Sequence, residues 1–152
     1  MLLKETAFVW LLGLKIPSLL FLGPRVLELD ERGCAVQIPL DLRTKNHLGS
    51  MYVGVLCAGA DLASGLNAAK LIYTRHRSVK LAFKDLKAEF LKRADGDVVF
   101  RSRDGALVRE AVEQADATGE RVTLPVEVVA TVPKKYGDEP VARFTMGLSL
   151  KR

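Results

Sequence analysis

Asn46-His47-Leu48-Gly49-Ser50-Met51-Tyr52-Val53-Gly54-Val55-Leu56-Cys57-Ala58-Gly59-Ala60-Asp61 passes from a turn into an apolar, small-residue run that carries a single carboxylate. Whole helical turns here are built from Gly, Ala, Val, Leu and Cys, so a helix formed by this segment is expected to be enclosed on nearly all sides. A carboxylate on such a helix must find a partner, shift its pKa or face a functional cavity. Asp61 is therefore the first candidate functional residue. The helix that bears it decides the fold, because an element too apolar to face water needs other structure wrapped around it.

Working outward, the 152 residues suit a single domain, 1–152, with one core. A hydrophobic content of 49% with 27% charged residues excludes a disordered or fibrous chain. Residues 1–23 read as an N-terminal helical segment, broken near Pro17 and closed by Gly23-Pro24. Lys4, Glu5 and Lys15 interrupt it and leave no uncharged run longer than nine residues, too short to span a bilayer as a helix. An amphipathic helix packed on the domain is expected there, and membrane contact is not. Val26 to Leu29 and Cys34 to Leu40 read as strands about an Asp30–Gly33 turn, followed by a polar loop from Asp41 to Lys45.

The central helix is expected over 50–73. Val79 to Leu91 and Asp97 to Arg103 follow as extended segments, with Ala94-Asp95-Gly96-Asp97 read as a hairpin turn joining them. Asp104 stands where it would cap a short inserted helix, 104–118, whose Leu107, Val108, Ala111, Val112 and Ala115 share a face and which Gly119 ends. Arg121 to Val132 and Val141 to Leu150 are the last strands, and Pro125 inside the first implies an edge position or a bulge. The order describes an α+β domain: an antiparallel curved β-sheet wrapped around one long central helix.

Net charge is +5, from 23 Lys and Arg against 18 Asp and Glu. That excess suits an anionic partner without choosing among nucleic acid, an acidic membrane surface and a phosphorylated small molecule. Seven per cent aromatics and the lack of a recognised RNA- or DNA-binding motif argue against nucleic acid. Cys34 and Cys57 lie 23 positions apart with no Cys-x-x-Cys spacing, and His47 has no second histidine nearby. No metal site or structural disulfide is expected, and a reduced, cytoplasmic setting follows.

The spacing around Asn46, with the order of elements, resembles the hotdog fold, and more narrowly the acyl-CoA thioesterases of the phenylacetate-pathway (PaaI-like) branch and their relatives of uncharacterised function. Their signature is an Asn, a turn, then His-Gly-Gly opening the central helix, with a catalytic Asp nine residues after the His. Here Asn46 lies six before Tyr52, Asp61 lies nine after it, and Tyr52-Val53-Gly54 stands in the place of His-Gly-Gly. Phe83 to Ala94 resembles the family's long strand. The chain departs from the pattern where Tyr52 replaces the histidine and Val53 the first glycine. Phe83 occupies a strand position that is often Ser or Thr.

The resemblance implies thioester hydrolysis. Unpaired amides at a helix N-terminus suit a developing oxyanion, and the Val53 and Gly54 N–H groups would serve. Asp61 would activate water or attack directly, and Asn46 would position the carbonyl or the water. Val53 and Asp61 are eight residues apart, about 12 Å along a helix, so one thioester carbon cannot reach both on one chain. A homo-oligomer, a dimer or a dimer of dimers, with shared sites is therefore implied. Gly49, Tyr52 and Phe83 would line the substrate. Arg75, His76, Arg77, Lys80, Lys92 and Arg93 are candidates for the phosphates of coenzyme A, which is part of the substrate; no other cofactor is expected. The bulk of Tyr52, Val53 and Phe83 motivates an alternative, a hotdog protein that binds acyl-CoA or a related lipid without hydrolysing it.

Overall fold

The computed structural model describes all 152 residues. Two short helices, α1 (Leu3–Gly13) and α2 (Pro17–Phe21), precede the hairpin of β1 (Arg25–Leu29) and β2 (Cys34–Ile38). The central helix α3 (Val53–Thr74) is followed by β3 (Lys80–Phe90), β4 (Val98–Ser102), α4 (Gly105–Thr118), β5 (Val122–Thr131), the single turn α5 (Pro133–Tyr136) and β6 (Pro140–Lys151). All six strands form one sheet in the order β1-β2-β4-β5-β6-β3, every neighbouring pair antiparallel.

The central helix starts at Val53, three residues later than expected, because 46–51 are held as a loop. The Asn46 N–H donates to Ser50 O and the Met51 N–H to Ala94 O. The helix lies against β2, β3, β4, β5 and β6, and its Val55, Leu56, Ala60 and Ala63 join Ile38, Phe100, Val128, Phe144 and Met146 in the main core. Gly59 is where helix and sheet approach closest: a β-carbon there would overlap the ring of the fully buried Phe100. By length and composition α3 could cross a membrane, yet most of it is buried inside the fold.

Four sequence expectations are corrected. The segment Ala94–Asp97 is not a hairpin turn: β3 pairs with β6, whereas β4 pairs with β2 and β5. Two strands therefore separate β3 from β4, and the connection crosses the sheet end beside the mouth of α3. Sequence adjacency misled here because β3 is a sheet edge, where one partner suffices. Asp104 sits at the N-cap of α4 but makes no side-chain cap; its Oδ2 accepts the Glu127 N–H of β5 at 2.9 Å. The N-terminal helix is packed but not amphipathic. Thr6, Val9 and Gly13 face inward, while Leu3, Trp10, Leu11 and Leu14 form an exposed apolar stripe on the other side.

Pro125 is on neither an edge strand nor a bulge: β5 lies between β4 and β6, and its register shift falls at Ala130/Thr131. The Pro125 backbone nitrogen points the same way as those of Glu127 and Val129, towards the β4 side, and β4 pairs only as far as Val129. The missing N–H falls on a stretch of β5 with no neighbour to receive it.

Candidate active site

The N-terminus of α3 opens into a concavity of about 450 Å3 lined by Asn46, Ser50, Met51, Val53, Leu56, Phe90, Leu91, Lys92, Arg93 and Ala94. Tyr52 is the N-cap residue, in extended conformation, and caps nothing with its side chain. Its carbonyl accepts from Val55 and Leu56, while the amides of Val53 and Gly54 donate to no protein group. Two free N–H groups at the positive end of a 22-residue helix form a ready anion site. Val53 itself is half exposed. The Tyr52 ring leans over Gly54: a β-carbon on Gly54 would lie 2.7 Å from Tyr52 Cε1, so this glycine makes room for the tyrosine.

Asn46 is in this concavity but its side chain is spent on its own loop. Oδ1 accepts the Leu48 N–H at 2.8 Å and the Ser50 N–H at 3.2 Å, and Nδ2 donates to Ser50 Oγ at 3.1 Å. Gly49, at φ +79°, completes that turn on the exposed side. Lys92 points its ammonium at the Tyr136 ring, 4.0 Å from the centroid, and pairs with Glu139 at 3.3 Å. Arg93 is exposed and has no ion-pair partner.

Asp61 faces elsewhere. It borders a second cavity, of about 230 Å3, between the α1–α2 pair, α3 and β3. Apart from Asp61 and Tyr73 its walls are apolar or glycine: Leu12, Ile16, Leu19, Leu62, Gly65, Leu66, Ala69, Ile72 and Leu81. No side chain or amide donates to the Asp61 carboxylate; only its backbone carbonyl is engaged, by Ser64 Oγ at 3.0 Å. Burial against apolar neighbours pushes its pKa up. An unpartnered carboxylate at the rim of an apolar cavity is chemically able to accept a proton or attack an electrophile.

The remaining candidates are dispersed. Phe83 packs beside Gly65, its Cζ 3.3 Å from where a β-carbon on Gly65 would sit. Arg75 lines a separate polar groove with Asn67, Lys70, Thr74 and Arg109, and Arg77 is exposed in the loop after α3. His76 is taken by Asp116 of α4, Nδ1 to Oδ2 at 2.6 Å. The basic candidates thus divide between two ends of the molecule, with only Lys92 and Arg93 beside the free amides. In sequence the N-terminal apolar run, broken by Pro17, reads equally as a cover for a substrate channel, a contact with a neighbouring subunit or a membrane contact; in the structure its Leu12, Ile16 and Leu19 wall the Asp61 cavity. Cys34 is buried, with its thiol pushed up to about 12, and serves as no nucleophile. No group of three or more His, Cys, Asp or Glu stands together to hold a metal ion.

Over residues 4–148 the sequence matches the model of a family described as a domain of unknown function, DUF4442. The chain belongs to the DUF4442 family. No curated protein matches this DUF4442 chain. Solved structures do. A Pseudomonas aeruginosa protein of unknown function, described as a probable thioesterase, is 23% identical and superposes with a TM-score of 0.74, covering 99% of this chain and 96% of that one. A mutant thioesterase from the same organism is 15% identical at a TM-score of 0.68, covering 99% and 94%. A Haemophilus influenzae thioesterase is 16% identical at 0.63, covering 88% and 81%. The fold they share with this DUF4442 protein is the hotdog fold, with the antiparallel sheet wrapped around the central helix.

Proposed function

We propose that this protein is a thioester hydrolase acting on an acyl-CoA, working as a homodimer or a dimer of dimers with active sites shared between chains. The observation that carries this reading is the pairing of an unpartnered, burial-perturbed Asp61 carboxylate with two free amides at the other end of the same helical stretch. The amides of Val53 and Gly54 from one copy would hold the carbonyl oxygen as it becomes an oxyanion. Asp61 of the other copy would take a proton from the attacking water, or attack the carbonyl carbon itself, and the CoA thiolate would leave. Lys92 and Arg93, lining the same concavity as Val53, would meet the CoA phosphates.

Support for a second copy comes from β3, an 11-residue strand at the sheet edge with one row of backbone N–H and C=O groups unpaired. An edge that long is a ready template for another chain. Turnover of a panel from acetyl-CoA to palmitoyl-CoA and aryl-acyl-CoA, by wild type and Asp61→Asn side by side, tests the reading. Turnover abolished by the substitution is expected; turnover that survives it would refute the role of Asp61.

A second reading, binding of acyl-CoA or a related lipid without hydrolysis, is favoured by the Tyr52 ring over Gly54 and by the commitment of the Asn46 side chain to its own turn. Saturable acyl-CoA binding with no turnover of any panel member would select it.

A further inference from the structure

Tyr73 borders the Asp61 cavity at its end along α3, partly exposed, and is held there from outside. Its ring meets Phe8 of α1 edge-on, with centroids 5.6 Å apart at 81°, and its hydroxyl receives a hydrogen bond from Lys15 Nζ at 3.3 Å. The clamp depends on α1 and α2 folding back tightly, which Gly13 allows: a β-carbon there would sit 2.8 Å from Leu20 Cβ. Along α3 the cavity runs past Gly65, which has no side chain, and Ala69, which has one methyl, to Ile72 and Tyr73. Asp61, Gly65, Ala69 and Tyr73 follow at four-residue steps, so they share one face of the helix. The cavity therefore has a polar end at Asp61, apolar walls and an aromatic ring at its other end.

We infer that Tyr73, braced by Phe8 and Lys15, is the end stop of an acyl-chain pocket and limits the ligand to unbranched chains of about eight carbons. The chain length follows from volume. A methylene occupies roughly the 30 Å3 share of one liquid water, so about 230 Å3 admits about eight. Tyr73 here determines specificity and takes no part in bond making; Phe8 and Lys15 are positioning residues. The inference rests on the acyl-thioester reading for its biological ligand, but the pocket is testable without any hydrolysis.

The experiment is equilibrium binding to the protein of neutral n-alkanols, from butanol to dodecanol, which avoids repulsion between Asp61 and an anionic head. Affinity is expected to rise about fourfold per methylene up to about eight carbons and then level off. Tyr73→Ala should carry the break to longer chains, as should Phe8→Ala more weakly. Ala69→Leu, which fills the cavity from inside, should bring the break to shorter ones. A steady rise through dodecanol overturns the end stop. A break unmoved in Tyr73→Ala overturns the assignment of Tyr73, and absence of alkanol binding overturns the pocket itself. Acyl-CoA hydrolysis measured in parallel separates the two ideas: alkanol binding with the expected break but no turnover leaves the pocket standing and refutes the hydrolase reading.

Discussion

Val53 and Asp61 stand eight residues apart on the same helix and open into different cavities, the one beside Lys92 and Arg93, the other beneath the α1–α2 pair. A site needing both groups is completed only by two chains. Val53→Pro tests this cleanly. Proline is tolerated at the first helical position, and Tyr52 at φ −62°, ψ 141° already has the extended conformation a following proline requires. The helix should survive while the oxyanion N–H disappears, with kcat falling about 100-fold or more. Mixing Val53→Pro and Asp61→Asn chains at equal amounts should restore roughly a quarter of wild-type activity, since half of the dimers carry one intact site. Mixed chains as inactive as either parent would rule out sharing.

Asp61 should govern both the acid limb of activity and the pH dependence of stability. Burial raises its native pKa, so loss of the reactive carboxylate on acidification should begin above the ordinary value of about 3.9. The sign for stability is opposite to that of a paired carboxylate. Above the raised native pKa the folded state holds a half-buried charge that the unfolded chain hydrates freely, and below about 3.9 both states are protonated and the cost vanishes. Asp61→Asn is expected to stabilise the protein by about 1 kcal/mol at pH 7, the gain fading between those two pH values. Thermal melts of both proteins from pH 3.5 to 8 measure it; a variant less stable at pH 7 would contradict the account.

Gly59→Ala should be severely destabilising although it adds one methyl group to an apolar helix. The new β-carbon would overlap Phe100, which is fully buried between α3 and the sheet and cannot swing aside. Overpacking of this kind costs roughly 2–3 kcal/mol, a fall of roughly 5–10 °C in Tm for a domain of this size. An unchanged melting temperature would mean that helix and sheet are not as close as described.

Asn46 offers a separation of loop structure from chemistry. Asn46→Ala removes the acceptor of the Leu48 and Ser50 amides and should lower stability by about 1–2 kcal/mol. Asn46→Asp keeps an acceptor oxygen and should retain most of that stability and, within a few fold, turnover. A loss of about 100-fold in kcat with stability intact would instead show that Asn46 Nδ2 acts on the substrate.

Much of the architecture was legible locally. The apolar run from Val53 through Ala60 could only be a core helix, and the Asp30–Gly33 turn marked the first hairpin. The Ala94–Asp97 turn was legible as a turn but not as to its partners, because strand pairing is set by which edges remain free after the sheet wraps α3. The capping role of Asp104 failed for a related reason: a β5 amide left unpaired by the short β4 lies within reach and takes the carboxylate. The N-terminal apolar run revealed a helix but left open whether it covers a channel, meets another subunit or touches a membrane, since an apolar side chain looks the same in sequence in all three places.

By itself the sequence determined the central helix, the isolation of Asp61 on it, and the six strands that must surround it, because hydrophobic periodicity and turn chemistry act over a few residues. Only the tertiary structure decided where those groups open. It placed Asp61 and Val53 in separate cavities, committed the Asn46 side chain to its loop, and set Phe8 and Lys15 against Tyr73. Each depends on contacts between segments far apart in the chain, whose geometry is fixed by packing the whole sheet against one helix and by no local preference.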